Sequence, residues 1–121
     1  MISYGNSSMR IKRGHVYVVD LDPTQGHEIR KTRPAVVVSN NDLNEISPIV
    51  LVMPITTGTY EYVLRIPIAK SEGGLHKQSV IATEHIRAVD KSRLQKCLGK
   101  VSMKTMQRIE KALYSHFDLP F

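Results

Sequence analysis

Strand-like runs follow one another along most of the chain, and its one long amphipathic helix comes last. That order limits the fold more than any other feature. The run HVYVVDL, His15 to Leu21, is rich in β-branched and aromatic residues and reads as a strand. It stops at Asp22-Pro23-Thr24-Gln25-Gly26, where proline presets φ and Asp and Gly suit a tight corner. The polar stretch from Gly26 to Arg33 reads as an exposed loop. A second strand, Pro34 to Ser39, is followed by a turn or short helical piece over Asn40–Ser47. Pro48 to Ile55 is apolar on both parities, as a central strand buried on two faces would be. Further strands are expected at Tyr62–Ile68, Ser79–Ala82, His85–Val89 and Cys97–Val101, with Gly73-Gly74 in a loop. After Ser102, an N-cap, the residues Met106, Ile109, Leu113 and Phe117 recur at helical spacing, and Lys104, Arg108 and Lys111 occupy another side. Strands in sequence and then a helix lack the alternation of a parallel α/β fold. The expected class is mainly β (α+β), a small, strongly bent sheet or barrel packed on a C-terminal helix.

At 121 residues the chain suits one domain able to bury a core without staples. Residues 1–8 read as a flexible leader, Met9 as a natural start, and 9–121 as that single domain. Cys97 is the sole cysteine, so neither an intrachain disulfide nor a cysteine-built zinc site is available. The longest apolar stretch, Ile49 to Ile55, falls far short of the roughly 20 residues of a membrane helix. The polar start carries no apolar signal-peptide region, so a cytoplasmic protein with no membrane partner is expected. The net charge is +6, and the segment from Arg87 to Lys111 accounts for it, with eight bases against Asp90 and Glu110. A localised basic surface attracts a polyanion, RNA or DNA, although the same charges also serve a solvated face.

Phosphate-loop, dinucleotide, zinc-protease and serine-elbow signatures are absent, and the five histidines show no metal-ligand spacing. No metal and no cofactor is expected. Glu28-Ile-Arg-Lys-Thr-Arg-Pro34 places one carboxylate and three cations at the mouth of a strand. Pro34 disfavours helical angles at Arg33, which should therefore stand extended and offer a fixed fork of donors to a phosphate. Pairing with Glu28 to pin the loop is the structural alternative. Pro54-Ile55-Thr56-Thr57-Gly58 brings two hydroxyls to the end of a buried strand, where they can also simply satisfy backbone groups.

These motifs taken in order resemble the MazF/PemK-type toxin endoribonucleases. The resemblance runs through Arg13 to Pro23, Gly26-His27-Glu28, Arg33 to Val38, Pro54 to Thr57, Ser79-Val80-Ile81, Glu84 to Leu94 and Leu98 to Ser102, and spans about Ile11 to Phe117. It implies a homodimer of SH3-like barrels of the CcdB/PemK type. Such proteins cut single-stranded RNA at short motifs without metal, leaving a 2′,3′-cyclic phosphate and a 5′-OH. They are silenced by a cognate antitoxin whose segment enters the RNA groove. Carried over residue by residue, the family's catalytic arginine, threonine and loop glutamate fall on Arg33, Thr56 and Glu28. His27 stands where serine is usual and His85 where glutamine is common. RNA contacts are expected from His27, Arg30, Lys31, Thr57, Tyr60, His85 and Arg87. The alternative is a non-catalytic nucleic-acid-binding or gyrase-directed toxin on the same barrel.

Overall fold

The computed structural model describes residues 10–22, 25–28, 31–57 and 64–120. The leader, Arg30, Tyr60 and the start of the strand expected from Tyr62 lie outside the described residues. Among the described residues seven strands form the architecture: β1 (His15–Asp20), β2 (Thr32–Val37), β3 (Ile49–Thr56), β4 (Ile66–Ile68), β5 (Ser79–Ile81), β6 (Arg87–Asp90) and β7 (Leu94–Lys100). Helix α1 (Asn41–Ile46) links β2 to β3, and α2 (Met103–Phe117) follows β7. Every pairing is antiparallel, in the order β4-β5-β3-β2-β1-β7, with β6 also on β3. The mainly β, α+β class read from the sequence is the one observed.

β3 bends the sheet. Ile49 to Val52 pair with β6, whereas Ile55 and Thr56 pair with β5, so one strand serves two partners along its length. The alternating side chains of β1, β2 and β3 feed two cores. Val16, Val36, Met53 and Ile55 pack with Ile109 and Ala112 of α2, while Tyr17, Val19, Ala35, Val37, Val50 and Val52 pack with Val89 and Leu94 on the opposite face. Both parities of Val52–Ile55 are buried as expected, but Ile49 and Leu51 are 42% and 41% exposed, because no element among the described residues covers the outer face at that end.

Other departures have local causes. His85 belongs to a 3₁₀ turn, Thr83–His85, and the strand begins only at Arg87. β7 starts at Leu94, earlier than its apolar residues indicated. Phe117 is 59% exposed: positions four apart drift by about 40° per step around a helix, so the series passes from buried Ile109 through half-buried Leu113 to the surface at Phe117. His116, though itself exposed, lies on the side of the helix toward the sheet, its Nε2 2.9 Å from the hydroxyl of buried Thr83, which itself donates to the Leu64 carbonyl. The Ser102 side chain caps α2 by accepting from the Thr105 N–H, and the Glu72 carboxylate accepts from the Ser102 N–H and the Thr105 hydroxyl.

Gly73-Gly74 is more than a loop. The 3₁₀ turn Glu72–Gly74 lies against β7, with both glycines at positive φ. A Cβ on Gly74 would stand 2.0 Å from the Leu98 carbonyl oxygen. This approach joins the turn after β4 to the far edge strand and closes the bent sheet without a hydrogen-bonded ladder. Gly74→Ala should therefore cost about 3 kcal/mol or more, from positive-φ strain and backbone overlap together, measurable by urea unfolding.

At the start of β1, burial and then the charges of Lys100 and Lys12 hold the His15 pKa below its ordinary value of 6.5. The unfolded chain thus binds this proton more readily, and stability falls as pH drops through that value. Thermal unfolding between about pH 7.5 and 5 should show this decline, and His15→Gln should flatten it.

Candidate active site

β2 and β3 pair with Ala35 opposite Pro54 and Val36 opposite Met53. Continued by two residues, this register sets Arg33 across from Thr56, and the side chains meet: an Nη1 hydrogen of Arg33 points to the Thr56 hydroxyl at 3.5 Å. The Thr56 hydroxyl donates to the Thr57 carbonyl at 3.2 Å, which orients its lone pairs. Arg33 is half-buried on a strand that Pro34 keeps extended, so its guanidinium is held by the sheet.

A cavity of about 350 Å³ is lined by His27, Glu28, Pro54, Glu84, His85, Ile86 and Arg87, with neither Arg33 nor Thr56 in its wall. Pro54 sits two residues before Thr56, on the same side of β3. Four residues singled out in the sequence, His27, Glu28, His85 and Arg87, therefore converge here from two distant segments. Thr57 follows at the strand end and is exposed.

Each wall has its own support. Asp20 accepts from the Asp22 N–H, and Asp22 accepts from the Lys31 N–H at 2.9 Å, while the Leu21 N–H bonds the Lys31 carbonyl. These bonds anchor the base of the loop that carries His27 and Glu28. Glu28 Oε1 accepts from the Gln25 N–H at 2.7 Å, and no described residue occupies its second oxygen. Arg87 donates to the Leu21 carbonyl at 3.0 Å, and Arg93 donates to the carbonyls of Asp20 and Asp22. Lys91 is buried, its ammonium on the Glu45 carbonyl. Three bases of the segment read as a basic surface thus serve the backbone instead.

Glu84, which motif reading did not single out as a site residue, is the wall residue with the most unusual environment. Its Oε2 accepts from Arg65 Nε and pairs with Nη2, both at 2.8 Å, and His85 Nε2 stands 4.0 Å away. Its Oε1 is buried without a hydrogen-bond partner among the described residues. No sequence signal marked this, since Arg65 lies 19 positions earlier. Among the described residues no group of His, Cys, Asp and Glu has a metal-binding arrangement, and no helix is long and apolar enough to cross a membrane.

Residues 12–117 match the family described as PemK-like, MazF-like toxin of type II toxin-antitoxin system. The chain belongs to this family. It is 40% identical over 105 residues to the Endoribonuclease MazF of Staphylococcus epidermidis, covering 85% of this chain and 88% of that one. The crystal structure of MazF from Deinococcus radiodurans superposes with a TM-score of 0.79 at 23% identity, over 89% of this chain and 96% of that one, a likeness of fold. A mycobacterial endoribonuclease solved in complex with its cognate antitoxin gives a TM-score of 0.74 at 27% identity, covering 93% and 97%.

Within this family member, Lys31 holds a left-handed backbone at φ 72° with its side chain exposed. Lys31→Gly should relieve that strain and raise stability by about 0.5–1 kcal/mol in urea unfolding, with the hairpin bonds retained.

Proposed function

We propose that this toxin-family endoribonuclease cuts single-stranded RNA without a metal ion, by attack of a ribose 2′-oxygen on the adjacent phosphorus. The 5′-oxygen leaves, and the products carry a 2′,3′-cyclic phosphate and a 5′-OH. The Arg33–Thr56 contact is the observation that carries this reading: a permanent cation and a hydroxyl, fixed across two paired strands, one of which lines a cavity large enough for a nucleobase at Pro54. The chemistry needs three things of the protein. The 2′-OH proton must be removed, the dianionic phosphorane stabilised, and the departing oxygen protonated.

Arg33 suits the second task, because donors held in place before charge develops need no reorganisation. It is unsuited to be the base, since guanidinium keeps its proton to a pKa above about 12. Thr56 orients the phosphate. Glu28, one oxygen held by Gln25 and the other open, takes the 2′-OH proton. His27, exposed beside Glu28 on the cavity wall, is the candidate donor to the leaving 5′-oxygen. Lys31, Thr57, His85 and Arg87 contact the strand, joined by Arg30 and Tyr60. Bases splayed from a single strand are read at their edges in the cavity.

Two partners follow in the same proposal. Leu43 and Ile46 of α1 and Ile49 and Leu51 of β3 are exposed apolar residues on adjoining elements, which supports a homodimer that covers them. A cognate antitoxin, the kind of partner present in the related mycobacterial complex, would lay a segment in the groove that takes RNA. The protein would act in the cytoplasm.

Incubation with a long single-stranded RNA in EDTA, followed by mapping of the ends, tests the reading. Cuts at one short motif with cyclic-phosphate and 5′-OH ends are expected, with Arg33→Ala and Thr56→Val each slower by about 10²-fold or more. A folded Arg33→Ala protein that cuts at the wild-type rate sinks the assignment. An intact RNA with folded wild type moves the reading to a binding or gyrase-directed toxin. For His27, the pH–rate profile should lose one limb in His27→Ala.

A further inference from the structure

Helix α2 presents Lys104, Arg108 and Lys111 at spacings of four and three, all exposed and on one side of the helix. None of the three has an ion-pair or hydrogen-bond partner among the described residues. The sole acid between Met103 and Phe117 is Glu110, and Arg13 takes it at 2.8 Å. The arrangement works against the helix. Lys104 lies in the first turn, where the macrodipole disfavours a cation, and the acid at that end, Glu72, is engaged by Ser102 and Thr105. Like charges three and four residues apart repel one another as well. Helix stability therefore does not account for the stripe.

The helix that carries it is tied to the site. His116 ties the last turn of α2 to Thr83, and the next two residues, Glu84 and His85, line the cavity. The stripe lies on the side of α2 turned away from the buried face and from His116, with Lys111 about 140° around the helix from that residue, and runs for about 10 Å. Gln107 and Ser115 flank it, so it offers no apolar anchor of the kind protein interfaces are built on. Exposed Met103, Tyr114 and Phe117 gather on the side of Glu110 instead. Point charges in a row suit phosphates rather than base edges.

We propose that Lys104, Arg108 and Lys111 form a docking track for the phosphate backbone of RNA outside the cleavage motif. The track extends the endoribonuclease reading and rests on it. It adds affinity for long substrates without adding sequence preference, because phosphate contacts carry no base information.

The test compares wild type with Lys104→Gln/Arg108→Gln/Lys111→Gln on two substrates carrying the same motif, a short oligonucleotide and a long single-stranded RNA. On the long RNA at low salt, kcat/KM should fall by about tenfold, and the slope of log(kcat/KM) against log[salt] should become shallower by about 2. On the oligonucleotide the change should stay within about twofold. The variant's Tm should hold or rise, since repulsive pairs have been removed. Affinity for the long RNA, measured in the Arg33→Ala background where cutting is not needed, should fall in parallel. Equal losses on both substrates, or unchanged affinity for the long RNA, overturn the track. Unchanged RNA affinity with lost binding of poly-glutamate would assign the stripe to an acidic polypeptide and overturn it too. A wild type that cuts neither substrate refutes the endoribonuclease reading, and the binding comparison still decides the track.

Discussion

The antiparallel pairing of β2 with β3 governs both the core and the candidate site, because one register serves the two. Val36 faces Met53 inside the core that α2 covers, and Ala35 and Pro54 lie across from each other one step nearer the strand end. Two residues further on, Arg33 meets Thr56. A slip of one residue would send every side chain of β2 to the opposite face and carry Arg33 away from the hydroxyl. Since β1 to β3 are buried on both faces over this length, such a slip would also misplace two cores at once. The packing that stabilises the sheet thereby holds the guanidinium in place.

Beyond that fixed pair, the cavity is assembled by cations acting on backbone. Arg87 reaches the Leu21 carbonyl, Arg93 those of Asp20 and Asp22, and Lys91 that of Glu45. A cation donating to a carbonyl makes a charge-assisted bond, stronger than a neutral one, and each of these crosses between segments far apart in sequence. The two arginines join β6 and the β6–β7 corner to the end of β1, where the loop bearing His27 and Glu28 departs, and Lys91 joins that corner to α1. The Arg65–Glu84 pair does similar service on the other wall. The basic composition of this chain therefore divides into charges spent on holding the site's walls and charges left facing solvent on α2.

Much of this was legible beforehand. The β-branched and aromatic residues of HVYVVD marked β1, the proline-led apolar run marked β2, and Ser102 followed by Met106 and Ile109 marked α2. Less legible were features with no local signature. Ile49 and Leu51 have the composition of buried residues, yet nothing in their neighbourhood reveals that their face stays uncovered. The glycine doublet reads as a loop because its partner, the backbone at Leu98, lies more than twenty residues away. Phe117 fits the apolar spacing, and only the accumulated drift of the helix turns His116 toward the sheet in its place.

By itself, the sequence determined the kinds of element, their order and the residue types available for chemistry, because periodicity, turn residues and capping act over a few neighbouring positions. It also supplied the motifs that marked Arg33, Thr56 and Glu28. Tertiary structure alone decided which of the cations are free and which are bound to carbonyls. Among the described residues, it alone brought Glu84 to the cavity with an unpaired oxygen, and left one end of β3 bare. Those outcomes depend on contacts between segments tens of residues apart, and a charge or an apolar side chain carries no record of the partner that folding will bring to it.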